Sequence, residues 1–177
     1  MKIIMMLLLL GVYAFAIGAN SGVSMGFNDH NIHAGKHFFY RTNQDVTDAD
    51  TVVRFMFTTP ATKKIHARFN MEAEDEFTVE LFESAIASNN GTPVTTFNNN
   101  RNSTETPELL AYASPTISNE GTLIWKSVIN SGKKLSISIG TNYEIIAKNS
   151  TNYLFKITKA AAGTHFIEPE FFWFEEP

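Results

Sequence analysis

Three histidines near the start of the chain are the residues best suited to bind a metal ion. His30, His33 and His37 lie close together, with Asp29 beside them. Three imidazoles and a carboxylate form a donor set that suits zinc. Their spacing matches no established helical zinc motif, and on a strand only His33 and His37 would share a face. We therefore predict loop and strand-edge histidines with no metal and no other cofactor, and a zinc site is the alternative.

Carboxylates are the second group of residues that could carry chemistry. Acidic residues cluster at 72–76 and recur at Glu80 and Glu83. A pair of carboxylates can hydrolyse a glycosidic bond at a suitable separation, but the sequence does not place a partner opposite either residue. The chain has neither a serine nucleophile elbow nor a phosphate-binding glycine loop. We predict solvated acidic turns and no enzyme activity, and we expect the isolated His66 and His165 to lie on solvent or interface faces.

A polar stretch at 97–104 reads Phe-Asn-Asn-Asn-Arg-Asn-Ser-Thr. Asn and Ser bond to nearby backbone groups and favour turns, so we predict a compact loop displayed between strands. Arg101 would pair with a carboxylate of Glu80, Glu83 or Glu105, or with one from a neighbouring subunit. An ordinary solvated crossover is the alternative. The candidate interface or binding residues are Asn98, Asn99, Asn100, Arg101, Asn102 and Ser103.

The composition indicates a folded protein that does not bind nucleic acid. Of 177 residues, 44% are hydrophobic, and 15 are Phe, whereas 18% are charged. Many aromatic and few charged residues suit sheets and contacts between subunits. The net charge of −4 argues against binding to phosphates. There is no Cys, so stability must come from the core or from association.

The first nineteen residues carry one charge, Lys2, followed by an apolar run. This pattern fits a secretory signal peptide, an apolar arm that docks on a partner subunit, or a membrane anchor, the last being the least favoured. A linker without helical periodicity follows at 21–29. We divide the chain into an apolar N-terminal segment and linker, 1–31, and a β domain, 32–177.

Short segments of alternating hydrophobicity fill the β domain. The clearest strands are predicted at 51–58, 64–71, 76–83, 121–130, 142–147, 152–158 and 164–174. Gly, Pro, Asn and Ser separate them at close spacing, which is typical of an all-β sandwich or jelly roll. Residues 84–90 could form one helical turn, and we identify no internal repeat. Both faces of the last segment are aromatic, which predicts a central strand, with a sugar-stacking platform or a subunit interface as alternatives.

Several motifs within 32–177 are informative as a set. They read His-Ala-Gly-Lys-His-Phe-Phe-Tyr at 33–40, Phe-Thr-Val-Glu-Leu-Phe-Glu at 77–83, Gly-Thr-Pro at 91–93, Phe-Asn-Asn-Asn-Arg-Asn-Ser at 97–103, Pro-Thr-Ile at 115–117, Gly-Thr-Leu at 121–123, Asn-Ser-Thr-Asn-Tyr-Leu at 149–154 and Phe-Trp-Phe-Glu at 172–175. The set resembles a family of virion structural proteins of tailed bacteriophages. Relatives often have Arg where this loop has Asn99, and the apolar leader departs from the pattern of a phage head protein.

The resemblance implies a β-rich capsid decoration or cement protein. Such a protein would bind the major capsid protein or another virion subunit, form a homotrimer and lie on the capsid surface. It would bridge shell subunits and stabilise the assembled state by binding to it alone. The alternative is a secreted or surface-anchored β-sandwich that binds glycans.

Overall fold

The computed structural model describes residues 27–49, 51–130, 135–139, 144–160 and 162–177. The apolar leader, most of the predicted linker, the turn at 131–134 and the start of the predicted strand at 142–147 lie outside these residues. Residues 31–177 form one compact unit. Across the described residues there is one short helix, and nearly everything else that is regular is strand.

The described residues form one helix and fifteen strands. The elements are α1 (Phe27–His33), β1 (His37–Arg41), β2 (Gln44–Val46), β3 (Val52–Thr58), β4 (Lys64–Ala73), β5 (Phe77–Glu83), β6 (Ile86–Asn89), β7 (Thr92–Pro93), β8 (Phe97–Asn98), β9 (Leu110–Ala113), β10 (Thr116–Asn119), β11 (Thr122–Ile129), β12 (Leu135–Ile139), β13 (Ile145–Ala147), β14 (Asn152–Lys159) and β15 (His165–Glu176).

Two antiparallel sheets face each other. Sheet A has the order β12-β4-β15-β1-β8, with β13 also paired to β4 and β2 to β15; sheet B has the order β11-β5-β14-β3-β9-β7. Among the main strands, sheet A contains β1, β4, β12 and β15, and sheet B contains β3, β5, β11 and β14. Along the chain, each of these strands is followed by a strand of the other sheet, except that β5 is followed by β11 in the same sheet. This interleaving is the strand order of a jelly roll, which confirms the all-β sandwich.

The core lies between the two sheets and is largely aromatic. Phe171 of β15 is its centre, because its ring lies 4.3 Å from that of Phe57, and 4.7 Å from those of Phe69 and Phe155. Phe57 and Phe155 belong to sheet B, whereas Phe69 and Phe171 belong to sheet A. Burial of aromatic side chains from both inner faces therefore joins the sheets.

β15 is the central strand that its aromatic sequence predicts. It pairs along its length with β4 on one side and with β1 on the other. Trp173 and Phe171 are buried towards the core, and Phe174 is buried as well. The adjacent Phe172 remains half-buried on the opposite face from Phe171, which leaves one large apolar ring near solvent.

A small two-stranded ribbon packs outside sheet B. In it β6 pairs antiparallel with β10, and Ile117 of β10 packs against Phe82, Ala85 and Leu154. The predicted helical turn at 84–90 is therefore wrong, because β6 occupies it. A β strand satisfies these backbone groups through pairing with a distant segment, which local propensity does not reveal.

The ribbon also corrects the expectation that the chain has no internal repeat. The pattern Ser-x-x-x-Ser-Asn-x-Gly-Thr occurs at 84–92 and again at 114–122. Equivalent residues adopt the same conformation: Ser84 and Ser114 have φ of 63° and 54°, and Gly91 and Gly121 have φ of 89° and 84°. The two halves of the ribbon are thus related by an approximate two-fold axis.

The start of the described chain differs from the predicted linker. Phe27, Asn28 and Asp29 belong to α1, so an extended linker through residue 29 is wrong. Asp29 lies in the first helical turn, where a carboxylate interacts favourably with the helix dipole. A helix of 7 residues is too short for its periodicity to be recognised in the sequence.

Candidate interaction surface

A row of phenylalanine rings crosses the face of sheet A that points away from the core. Phe97 of β8 lies opposite Phe39 of β1, and Phe39 lies opposite Phe172 of β15. The ring centroids are 5.5 Å apart for Phe97 and Phe39, and 6.4 Å apart for Phe39 and Phe172. Phe97 is 39% exposed, and the other two rings are half-buried. We call these three residues the aromatic row.

An arginine lies at each end of the aromatic row. The guanidinium of Arg101 lies over the ring of Phe97, 5.3 Å from its centroid. At the other end, Arg68 of β4 lies directly opposite Phe172 in the ladder. Directly opposed residues share a face of a sheet. The surface therefore has an apolar centre with cationic ends.

Side chains alternate between the two faces of β1, so this short strand contributes to both the core and the outer surface. Phe38 is 2% exposed and packs on Trp173 with ring centroids 5.9 Å apart. Its neighbours His37 and Phe39 point to the opposite face, since successive side chains alternate in a strand. The continuous aromatic sequence at 38–40 thus supplies two side chains to the core, Phe38 and Tyr40, and one to the surface, Phe39.

The loop after Phe97 is held by its own asparagines. Asn98 donates from Nδ2 to the carbonyl of Gly35 at 2.7 Å, and its Oδ1 accepts from the backbone N–H of Asn100 at 2.9 Å. Asn100 donates from Nδ2 to the carbonyl of His33 at 3.1 Å, and its Oδ1 accepts from the N–H of Asn102 at 3.1 Å. These bonds fix the loop against the turn that precedes β1.

Gly35 is the residue that lets the loop approach this turn. Its φ is 72°, and a Cβ built there would lie 2.3 Å from Oγ of Ser103. Ser103 in turn accepts at Oγ a hydrogen bond from the backbone N–H of Glu105, at 3.1 Å. A side chain at position 35 would therefore both strain the backbone and displace the loop.

The predicted binding residues separate into two groups. Asn98, Asn99, Asn100 and Ser103 take part in hydrogen bonds within the chain. Arg101 and Asn102 are exposed at the tip. The polar loop is therefore a rigid support that presents Arg101 above the aromatic row.

The predicted partner of Arg101 within the chain is wrong. Glu80 binds Lys126 and Lys156, and Glu83 binds Lys148. Across the described residues, Arg101 forms no ion pair with any carboxylate, Glu105 included, and contacts an aromatic ring. The guanidinium stacks readily on aromatic faces, which the loop composition alone does not indicate. Pairing with a neighbouring subunit stays a prediction.

The strands predicted to flank the loop, β5 and β11, pair with each other in sheet B.

His37 of β1 forms a hydrogen bond to the polar loop, and this bond requires a neutral imidazole ring. Its Nδ1 lies 2.6 Å from Nδ2 of Asn99, an arrangement in which the amide donates and the imidazole accepts. Burial, and then the positive charge of Arg68, lower the pKa of His37 below its usual value. Both the hydrogen bond and the pKa direction favour an unprotonated ring at neutral pH.

We expect the folded protein to lose stability when the pH falls below about 6.5, the pKa of an unperturbed histidine. The unfolded chain then takes up a proton at His37 more readily than the folded chain, which favours unfolding. The effect of one group is at most about 1.4 kcal/mol per pH unit. Urea unfolding at pH 7.5 and 5.5 measures it, with His37→Gln as the variant that should reduce the difference. An unchanged pH dependence in His37→Gln would contradict this assignment.

Within the described residues, the histidines and acids form no cluster of three or more side chains that could hold a metal ion. The prediction of loop and strand-edge histidines is wrong for His30 and His33, which belong to α1. The prediction of a solvent face is wrong for His66, which is buried. His66 is 7% exposed and its Nδ1 lies 2.8 Å from Glu144, while His165 lies 2.9 Å from Asp75. These carboxylates were not predicted because their positions depend on strand pairing.

Sequence reasoning also missed a buried carboxylate at the end of β15. Glu175 is 2% exposed and accepts hydrogen bonds from the backbone N–H groups of Glu108 and Leu109 at 2.9 and 3.0 Å. It also binds Nζ of Lys63 at 3.1 Å and the indole of Trp173 at 3.3 Å. Although partial burial opposes it, hydrogen bonds to Glu108 and Glu175 raise the pKa of Lys63. An acidic residue after an aromatic strand gives no sequence signal for such a role.

Comparisons with known proteins identify no family for this jelly-roll chain. No protein-family model matches it, and neither does any curated protein. A subunit of the Bacillus endospore appendages, a novel family of disulfide-linked pili, is similar over 78% of this chain and 88% of that chain, with 12% identity and a TM-score of 0.35. A chain of the T13 IBDV viral particle is similar over 80% of this chain and 40% of that chain, with 16% identity and a TM-score of 0.20. Neither likeness extends to function.

Within the described residues, no helix is long and apolar enough to cross a bilayer.

Proposed function

We propose that this chain is a non-catalytic structural subunit of a virion, and that it acts as a capsid decoration or cement protein. The aromatic row with Arg68 and Arg101 at its ends is the observation that carries the proposal. Aromatic residues and Arg are enriched where protein interfaces are most deeply buried, and Arg is a frequent hot-spot residue. The jelly-roll fold, which is used by capsid and lectin domains, supports the same proposal.

The proposed mechanism is the physical bridging of shell subunits. A subunit of the shell covers the aromatic row, and Arg101 pairs with a shell carboxylate while its guanidinium stays on Phe97. Binding to the assembled shell, and not to free shell subunits, stabilises the shell by mass action. Repeated contacts on a symmetric particle add avidity, and we place the trimer that the family resemblance implies on the shell and not in the free protein.

We expect Arg101→Ala to weaken attachment to particles while leaving the fold intact. Arg101 is exposed, so the free energy of unfolding of the isolated protein should change by no more than about 0.5 kcal/mol. Attachment should weaken by about 2–5 kcal/mol, because a shell carboxylate would be left buried and unpaired. Sedimentation of particles incubated with each variant, followed by quantification of the bound chain, measures this loss.

Arg101→Lys is the matched control, since it keeps the charge and removes the planar guanidinium. A bidentate or stacked contact predicts that Lys restores only a part of the binding. Binding of Arg101→Ala equal to that of the parent would remove the polar loop from the interface and return it to an ordinary solvated crossover.

Glycan binding by a secreted protein is the second candidate, because aromatic residues on a sheet face can stack on sugars. In this structure Phe39 lies between two neighbouring rings, and Arg101 covers Phe97. The ring faces are therefore partly occupied, which favours a protein partner. A glycan array with reproducible hits that Phe97→Ala abolishes would support the glycan candidate.

A further inference from the structure

β11 is a long strand with one open side. It runs over 8 residues at the end of sheet B and pairs there with β5. Among the described residues no strand pairs with its other side. Three aliphatic side chains on it are strongly exposed: Leu123 at 46%, Ile124 at 42% and Val128 at 44%. A long edge strand with exposed apolar side chains is a template for pairing with another chain.

The other sheet ends in the described chain offer less. β7 has 2 residues and includes Pro93, which lacks a backbone donor, and β8 also has 2 residues. β13 has 3 residues. A second copy of the chain therefore offers its own β11 as the edge of matching length and character.

We propose that two copies of this chain associate through β11, antiparallel and about a two-fold axis, and extend sheet B across the pair. An antiparallel contact of a strand with itself is isologous and closes after two copies. It would satisfy the open backbone groups of β11 and partly cover Val128. The aromatic row lies on sheet A, so this contact is independent of the proposed attachment to a shell.

The register of β11 on β5 shows which side chains would meet. Lys126 lies opposite Glu80 and binds it at 3.0 Å, on the face of sheet B that points away from the core. Val128, two residues along, shares this face. A bulge separates Leu123 from Trp125, so regular pairing is expected over residues 125–129. Depending on the register of the two copies, Lys126 would lie opposite its own counterpart, Val128 would lie opposite its own counterpart, or Lys126 of one copy would lie opposite Val128 of the other.

Sedimentation equilibrium of the free protein tests the association. We expect a concentration-dependent dimer, and Val128→Lys should raise its dissociation constant about tenfold to hundredfold, as a valine leaves the interface and a charge enters it. Ile146→Lys is the matched control, because Ile146 is 59% exposed on β13 of sheet A, and it should not change the dimer. A monomer at tens of micromolar, a trimer, or equal effects of the two variants would overturn the proposal.

Single cysteines give an independent readout, because the chain has no native Cys. Lys126→Cys and Val128→Cys are oxidised separately and as an equal mixture. Only directly opposed positions come within disulfide distance, so one of the three combinations should yield a covalent dimer. Ile146→Cys should remain monomeric. Covalent dimers in none of the three combinations, or in Ile146→Cys to the same extent, would exclude pairing through β11.

Discussion

Glu175→Ala is expected to destabilise the isolated protein by about 3–5 kcal/mol. The carboxylate of Glu175 accepts from two backbone N–H groups, from the indole of Trp173 and from Lys63. Its loss leaves these donors without their acceptor in a site that is 2% exposed. Such groups cost more when unsatisfied than the hydrogen bonds contribute when formed. Urea unfolding followed by tryptophan fluorescence measures the difference.

Glu176→Ala is the control for this effect. It removes the same chemical group one residue later, where the side chain is 44% exposed and lies 3.4 Å from His66. Because the Glu176 side chain is 44% exposed, water can take its place beside His66, so this variant should cost no more than about 1 kcal/mol. Glu175→Gln keeps one acceptor oxygen and should fall between the two. Equal stability of the two alanine variants would show that Glu175 does not hold the segment at 108–109.

Phe171→Ala is expected to cost about 3–5 kcal/mol through loss of apolar burial and formation of a cavity between the sheets. Besides Phe57, Phe69 and Phe155, its ring contacts those of Phe55 and Tyr40, at centroid distances of 5.7 and 6.1 Å. These five neighbours come from four different strands, and they cannot all move to fill the space. The melting temperature should fall by roughly 6–20 °C for a chain of this size.

Phe97→Ala removes the same side chain from the aromatic row. Because Phe97 is 39% exposed, its removal exposes less apolar area to water, and we expect less than about 1.5 kcal/mol of destabilisation. Calorimetry of the two variants decides whether Phe171 is the centre of the core. A larger loss for Phe97→Ala than for Phe171→Ala would contradict the arrangement of sheets A and B.

Strand positions were predictable where one face of a strand meets the core. β3, β4, β5 and β14 start and end within two residues of the predicted limits, since alternation reports burial directly. Strand order was not predictable, because each strand pairs with segments far away in the chain and alternation carries no information about the partner. The jelly roll therefore becomes visible only when the register is known.

The sequence located the polar loop but not the aromatic row beside it. The loop composition located residues 97–104, whereas the partners of its asparagines, Gly35, His33 and His37, lie more than sixty residues earlier. The aromatic row joins strands β8, β1 and β15, so no local pattern contains it. The repeat at 84–92 and 114–122 is the signal that could have been found, since it is visible in the sequence and predicts two equivalent turns.

Footprinting on purified particles tests the proposed function most directly. Hydroxyl-radical labelling with mass spectrometry reports both the presence of the chain and the exposure of Phe97, the most exposed ring of the aromatic row. We predict that particles contain the chain and that Phe97 is protected there relative to the free protein, while Ile86, which is 57% exposed on the ribbon outside sheet B, stays reactive. Particles that lack the chain, or that carry it with Phe97 as reactive as in solution, would contradict attachment through this surface.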